Sequence, residues 1–372
     1  MSTNKINAAE SIRGLACLAV VLSHLSLTFF PQLHNFDVST VPQYGFLDVI
    51  HHSPLAFFFS GTGAVFVFFV LSGYVLSLSS FNKPNPAERL KKSLIKRYPR
   101  LAIPAFLSCI ISYLVCYLVV DVSHVSAWGA ALAKTGFHLK DAMYEGTIGA
   151  FIFGGASYNW VLWTMQIELF GSLMIYFASY FYTKSQLLTG GFLLLCLLLA
   201  HHISQTMLLG ILSFVLGMGL FLYAKTLKLP VSIALFLFGL YCCGVHDSSA
   251  SYQLFTQLLN GQAYDYLNFI GGFCVVYAVL KGQWLAQIFD RQAFVFLGKV
   301  SFSIYLLHLS ILYALGIPFF NILHLYLGCS YLLAGLGACL FTVIVSIGLA
   351  QLYSRYVDEM AIKVSNRLAK LF

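Results

Sequence analysis

Arg13 and His24 stand on the first apolar segment of the chain with ten residues between them. Eleven residue steps at ~100° and ~1.5 Å each make about three turns and roughly 16 Å, so both side chains leave one helix face. An imidazole inside a lipid-spanning helix is costly to place and points to function. Its chemistry is proton transfer near neutral pH. A fixed cation on the same face suits an anionic ligand arriving from one side. The plainer reading of His24 is a hydrogen bond to a neighbouring helix.

A second group is basic: Lys96-Arg97-Tyr98-Pro99-Arg100, followed by Pro104. Two arginines three apart, held between prolines, can face one way, and their planar forks suit phosphate oxygens at any working pH. An ordinary anchor at a membrane surface would use the same residues. Beside Arg13, the cluster reads as a site for a phosphate-bearing cosubstrate such as a nucleotide thioester. A third group, Asn159-Trp160-Val-Leu-Trp163-Thr-Met-Gln-Ile-Glu168, opens a later span. An intramembrane carboxylate should face the protein interior with a partner. Counted from the same membrane side, His24 lies about 9 Å deep and Glu168 about 13 Å. The two are therefore expected to meet, Glu168 orienting the imidazole; a structural hydrogen bond between helices is the alternative. The fourth group is Gly298-Lys-Val-Ser301-Phe-Ser-Ile-Tyr305-Leu-Leu-His308. Measured from an inner edge at 301, Tyr305 and His308 are expected roughly 6–10 Å in, on the opposite side from His24.

These groups need helices set in lipid. Hydrophobic residues make up 59% of the 372-residue chain and charged residues 9%, which is not the balance of a water-soluble domain. Apolar runs near the ~20 residues that cross a bilayer recur at roughly 12–30, 56–78, 102–120, 159–182, 187–203, 206–224, 229–246, 266–280, 301–322 and 329–353. The expected fold class is therefore all-α, a polytopic membrane protein of about ten spans. It would form one domain over 1–372, with tails at 1–10 and 354–372. The eighth run is the shortest, and no small-residue cleavage site follows the first, which is read as a retained anchor. With the N-terminus inside, all of the 21 Lys and Arg except Lys134 and Lys140 fall on the inner side. That pattern places both termini in the cytoplasm.

The net charge of +8 thus reflects topology, and no basic surface interleaved with aromatics indicates nucleic acid. The nine cysteines form no CxxC pair and there is no HExxH, so neither disulfides nor a metal site is indicated. The outer loop 121–158 carries Ser126-Ala-Trp128-Gly-Ala and Lys134. It reads as a short surface helix, either covering an acceptor site or packing as a flap.

Together these pieces resemble the acyltransferase-3 family of integral membrane O-acyltransferases, which acylate surface carbohydrates. The resemblance rests on Arg13 and His24 at their spacing, on Phe68-Phe-Val-Leu-Ser72-Gly73-Tyr74, and on Arg97-Tyr-Pro-Arg100 with Ile103-Pro104. Trp163-Thr-Met-Gln-Ile-Glu168 and Gly298, Ser301, Tyr305 and His308 complete it in family order. It implies a ten-helix domain in the bacterial cytoplasmic membrane. That domain takes acyl groups from cytoplasmic acyl-CoA (acetyl-CoA by default) and delivers them across the bilayer to a hydroxyl of a carbohydrate or lipid-linked glycan. His24 matches the family's essential histidine, Arg13 its paired arginine, and Arg97 and Arg100 the arginines associated with the donor.

On this reading His24 is the general base, oriented by Glu168. Arg13, Arg97, Arg100, Ser72, Tyr305 and His308 line the donor route, and Asn159, Trp160 and Trp163 stand on the acceptor side. Acyl-CoA is a cosubstrate, and no resident cofactor or metal is expected. A covalent acyl-imidazole is the rival route. The chain departs from the family pattern at Phe66, where a polar or acidic residue is common, and near Gly171, where an aromatic is common. A transporter or flippase of a glycan or anionic small molecule would use the same helices. It would move its substrate without consuming acyl-CoA.

Overall fold

The computed structural model describes residues 3–36, 40–81 and 84–371. Among these residues the chain is helical and forms no strand, and a lone parallel bridge joins Leu227 to Gly282. The long apolar helices are α1 (Thr3–Phe29), α2 (Gly61–Ser80), α3 (Pro86–Val115), α4 (Trp160–Tyr182) and α5 (Gln186–Ile203). They continue as α6 (Gln205–Leu222), α7 (Leu229–Cys243), α8 (Ala263–Lys281), α9 (Gln292–Tyr326) and α10 (Tyr331–Leu371). Among the described residues nine helices are long and apolar enough to cross a membrane, and the 15-residue α7 is the short one. At ~1.5 Å per residue α7 reaches about 22 Å, against ~30 Å of hydrocarbon. The protein is an all-α polytopic membrane protein. The eighth segment, expected to be the shortest, is a helix of 19 residues.

Local chemistry explains where these helices begin. Ser60, Ser185, Ser204 and Ser330 each accept a hydrogen bond from a first-turn N–H, capping α2, α5, α6 and α10. Pro86 opens α3, and Pro230 lies in the first turn of α7, where a missing N–H costs nothing. Three helices start well before the hydropathy reading, α1 at Thr3 rather than near 12. Helix α3 begins at Pro86 rather than near 102, so the Lys96–Arg100 cluster is helical, with Pro99 and Pro104 inside it. Helix α9 begins at Gln292 rather than 301. The early turns of α3 are polar, and Lys299 interrupts the apolar run at the start of α9, so a window of pure hydropathy passes over both.

Helix α1 packs along α9 and α2 at the centre of the bundle. Its seam with α9 is glycine-lined: a Cβ on Gly298 would sit 2.0 Å from the Glu10 carbonyl oxygen, and one on Gly14 2.5 Å from the Gly298 nitrogen. Only residues without side chains let two backbones come this close. Gly73 does the same for α2 against α6, where a Cβ would lie 2.3 Å from the Phe214 carbonyl oxygen. Between α3 and α4 the loop folds as helical turns at Ala127–Ala130 and Leu139–Tyr144 and a π-helical stretch, Glu145–Phe153.

Candidate active site

The α1–α9 seam runs in register. Gly14 faces Gly298, the Cys17 Sγ donates to the Ser301 carbonyl at 3.1 Å, and His24 Nδ1 lies 2.7 Å from His308 Nε2. Each of the two hydrogen-bonded pairs is separated by 284 residues, so the helices run parallel and hold their histidines at one level. The rings are nearly coplanar, with centroids 5.0 Å apart and planes 5° apart, which puts the hydrogen bond in the plane of both. The expectation that His308 sits on the opposite side from His24 is therefore corrected. It lies deep in α9 because that helix starts at Gln292.

The tautomers follow from the partners. His308 Nδ1 is 3.1 Å from the Ile304 carbonyl, which can only accept, so in the neutral ring Nδ1 carries the proton. His308 Nε2 is then an acceptor and His24 Nδ1 its donor. That leaves the lone pair of His24 on Nε2, and His24 lines a cavity of about 330 Å³. Trp160, Trp163, Tyr305, His34 and His246 also line this cavity. The Trp128 ring stacks on His24 with centroids 5.2 Å apart and planes at 15°.

Glu168 is not a partner of His24, and the expected contact is corrected. Its carboxylate pairs with Arg97 and accepts from the Ser72 hydroxyl at 2.9 Å. The Arg97 Nε donates to Ser172 Oγ at 2.8 Å, one turn along α4 from Glu168. The reason is the length of α3, whose early start carries Arg97 into the bundle opposite that face of α4. Arg13 binds the Glu10 carboxylate through two contacts of 2.8 and 2.9 Å. Arg100 is exposed and lies close enough to Arg97 and Arg13 to feel their charge.

Of the residues placed on the acceptor side, Trp160 and Trp163 line the cavity. Asn159 is buried instead, its amide donating to Ser108 Oγ at 3.1 Å and to the Leu306 carbonyl at 2.8 Å, and it ties α3 to α9. Tyr305 is fixed through its hydroxyl to Thr164 Oγ1 and the Val161 carbonyl, both at 3.0 Å.

Three residues at or beside the site do not stand out in the sequence as candidates: His34, His246 and Glu145. His34 Nδ1 lies 3.2 Å from His246 Nε2, and His34 Nε2 lies 2.7 Å from Ser26 Oγ. Burial, reinforced by the neighbouring imidazoles, pushes His34 down to about 3, and burial pushes His246 down to about 4. Both rings are thus neutral near pH 7. The third is Glu145, a buried carboxylate that accepts from the backbone N–H groups of Ser157, Tyr158 and Asn159 at 2.6, 2.8 and 3.2 Å. It shapes the turn that leads into Trp160. Only the short spacing from Glu145 to that turn could have suggested it. Among the described residues no His, Cys, Asp and Glu group could hold a metal ion.

The family model described as an acyltransferase domain, acyltransferase-3, matches residues 6–351, nearly the whole chain. No curated protein and no solved structure matches it. A polytopic helical bundle whose parallel seam brings two histidines together thus carries the family's domain along almost all its length, and the chain belongs to the acyltransferase-3 family of membrane acyltransferases.

Proposed function

We propose that the protein transfers an acyl group, with acetyl as the simplest case, from acyl-CoA to a hydroxyl of an exported carbohydrate, with His24 as general base. The observation that carries this reading is the directed hydrogen-bond chain Ile304 O, His308, His24, which leaves Nε2 of His24 as a bare acceptor on a cavity. His308 takes over the orienting role first assigned to Glu168. Nε2 removes the acceptor's hydroxyl proton as the oxygen attacks the thioester carbonyl. The C–S bond then breaks, and the departing thiolate takes the proton back from His24, so base and ring return to their starting state. Arg13, Arg97 and Arg100 supply charge for the donor's phosphates, and the ~16 Å from Arg13 to His24 is comparable with the length of a pantetheine arm. Trp160 and Trp163 offer aromatic faces to a sugar in the cavity.

The test is transfer itself. The protein in lipid nanodiscs, given acyl-labelled acyl-CoA and an envelope glycan fraction, should move label onto glycan and release free CoA thiol in equal amount. Movement of an intact substrate across vesicles containing the protein, without thioester loss, would instead support a transporter.

A further inference from the structure

Trp128 lies in the loop between α3 and α4, far in sequence from both histidines, and the fold delivers it onto one of them. Ser126 fastens the loop to the end of α1: its N–H donates to the Thr28 carbonyl at 3.0 Å and its hydroxyl to the Leu27 carbonyl at 2.6 Å. Gly129 allows the approach, since a Cβ there would lie 2.8 Å from the Thr28 methyl. The half-buried indole then covers one face of His24 at 5.2 Å and 15°. The indole is braced in turn. Trp160 meets it edge-on at 5.3 Å and 76°, and the Lys134 ammonium sits 4.5 Å from the Trp160 ring centre while donating to the Ser157 carbonyl.

We infer that Trp128 is a positioning residue for the acyl transfer, its indole face stabilising the imidazolium that His24 becomes when it takes the acceptor's proton. The inference rests on the proposed role of His24 as base. In-plane positions of that ring are already used: Nδ1 by His308, and Nε2 by the incoming proton. The face is what remains, and a ring quadrupole attracts a cation placed over it more than it attracts the neutral form. Such contacts change rates by about 2- to 30-fold. Because the neutral ring gains less, the effect belongs to kcat and leaves donor binding alone.

The experiment replaces Trp128 site-specifically with a series of fluorinated tryptophans, which keep shape while draining the ring face of electron density. Transfer from acyl-CoA is measured in nanodiscs. The expected result is a stepwise fall of kcat with each fluorine, up to about tenfold, at constant KM for acyl-CoA. Trp128→Leu should lose about 10- to 30-fold in kcat, and the fluorinated series remains decisive should the leucine variant fail to fold. A flat series in an active protein would overturn the inference, leaving the indole as packing. Absence of acyl transfer by the wild-type protein would reject the reading beneath it, and this inference with it.

Discussion

Two inter-helix pairs, His24–His308 between α1 and α9 and Arg97–Glu168 between α3 and α4, are built on opposite principles. His24 and His308 are both imidazoles, joined by one 2.7 Å hydrogen bond whose direction is set by the Ile304 carbonyl. Arg97 and Glu168 are opposite charges, further held by Ser172 and Ser72. The first pair is uncharged at rest and takes up one proton at a time, which His24 and His308 can share through their hydrogen bond. The second pair has no such freedom. Each member needs the other, since both side chains are mostly withdrawn from solvent at 12% and 16% exposure. The contrast separates a layer able to do proton chemistry from a layer that holds position and charge near the arginines.

The largest effect that would test this contrast falls on the ion pair. Glu168→Gln leaves Arg97 with an uncompensated charge and should cost about 3–5 kcal/mol of stability, read as earlier thermal unfolding in detergent. Replacing both partners with apolar residues should recover much of it, because the stranded charge is gone. Equal losses in the single and double variants would mean that the pair is not the unit described.

A smaller effect concerns the other imidazoles. His34 and His246 have folded pKa values lowered by burial to about 3 and about 4, below the usual value near 6.5. Their unfolded forms bind protons first as pH falls, so stability is full above pH 6.5 and declines toward pH 4. His246→Gln should flatten that decline by up to about 1.4 kcal/mol per pH unit, measured as unfolding midpoints across this range. An unchanged slope would mean that His246 does not stay neutral in the folded protein.

Much of the fold is legible in the chain because hydropathy reports lipid contact directly. The segments read at 187–203 and 206–224 fall within a few residues of Gln186–Ile203 and Gln205–Leu222. Of the misplaced starts, those of α3 and α9 mattered for the site: Arg89, Lys92 and Arg97, or Lys299, interrupt the apolar run there. Those two starts produced both errors in the site. Depth counted from 301 separated His308 from His24, and a span counted from 102 left Arg97 outside the bundle, with Glu168 free for His24. One signal for the correct pairing was present. Gly14, Cys17 and His24 repeat the spacing of Gly298, Ser301 and His308, as two parallel helices in register require. The Trp128 stack and the His34–His246 contact depend on how loops close over the bundle, and no local periodicity encodes that.

The central claim, that His24 is the base and His308 its orienting partner, is tested most directly by measuring acyl transfer and CoA binding together in His24→Ala and His308→Ala. Loss of a general base should lower kcat about 10²–10⁴-fold in His24→Ala, with a smaller loss in His308→Ala and CoA affinity close to wild type in both. Near-normal turnover by a well-folded His24→Ala, or loss of CoA binding in that variant while an inactive His308→Ala retains it, would contradict the account.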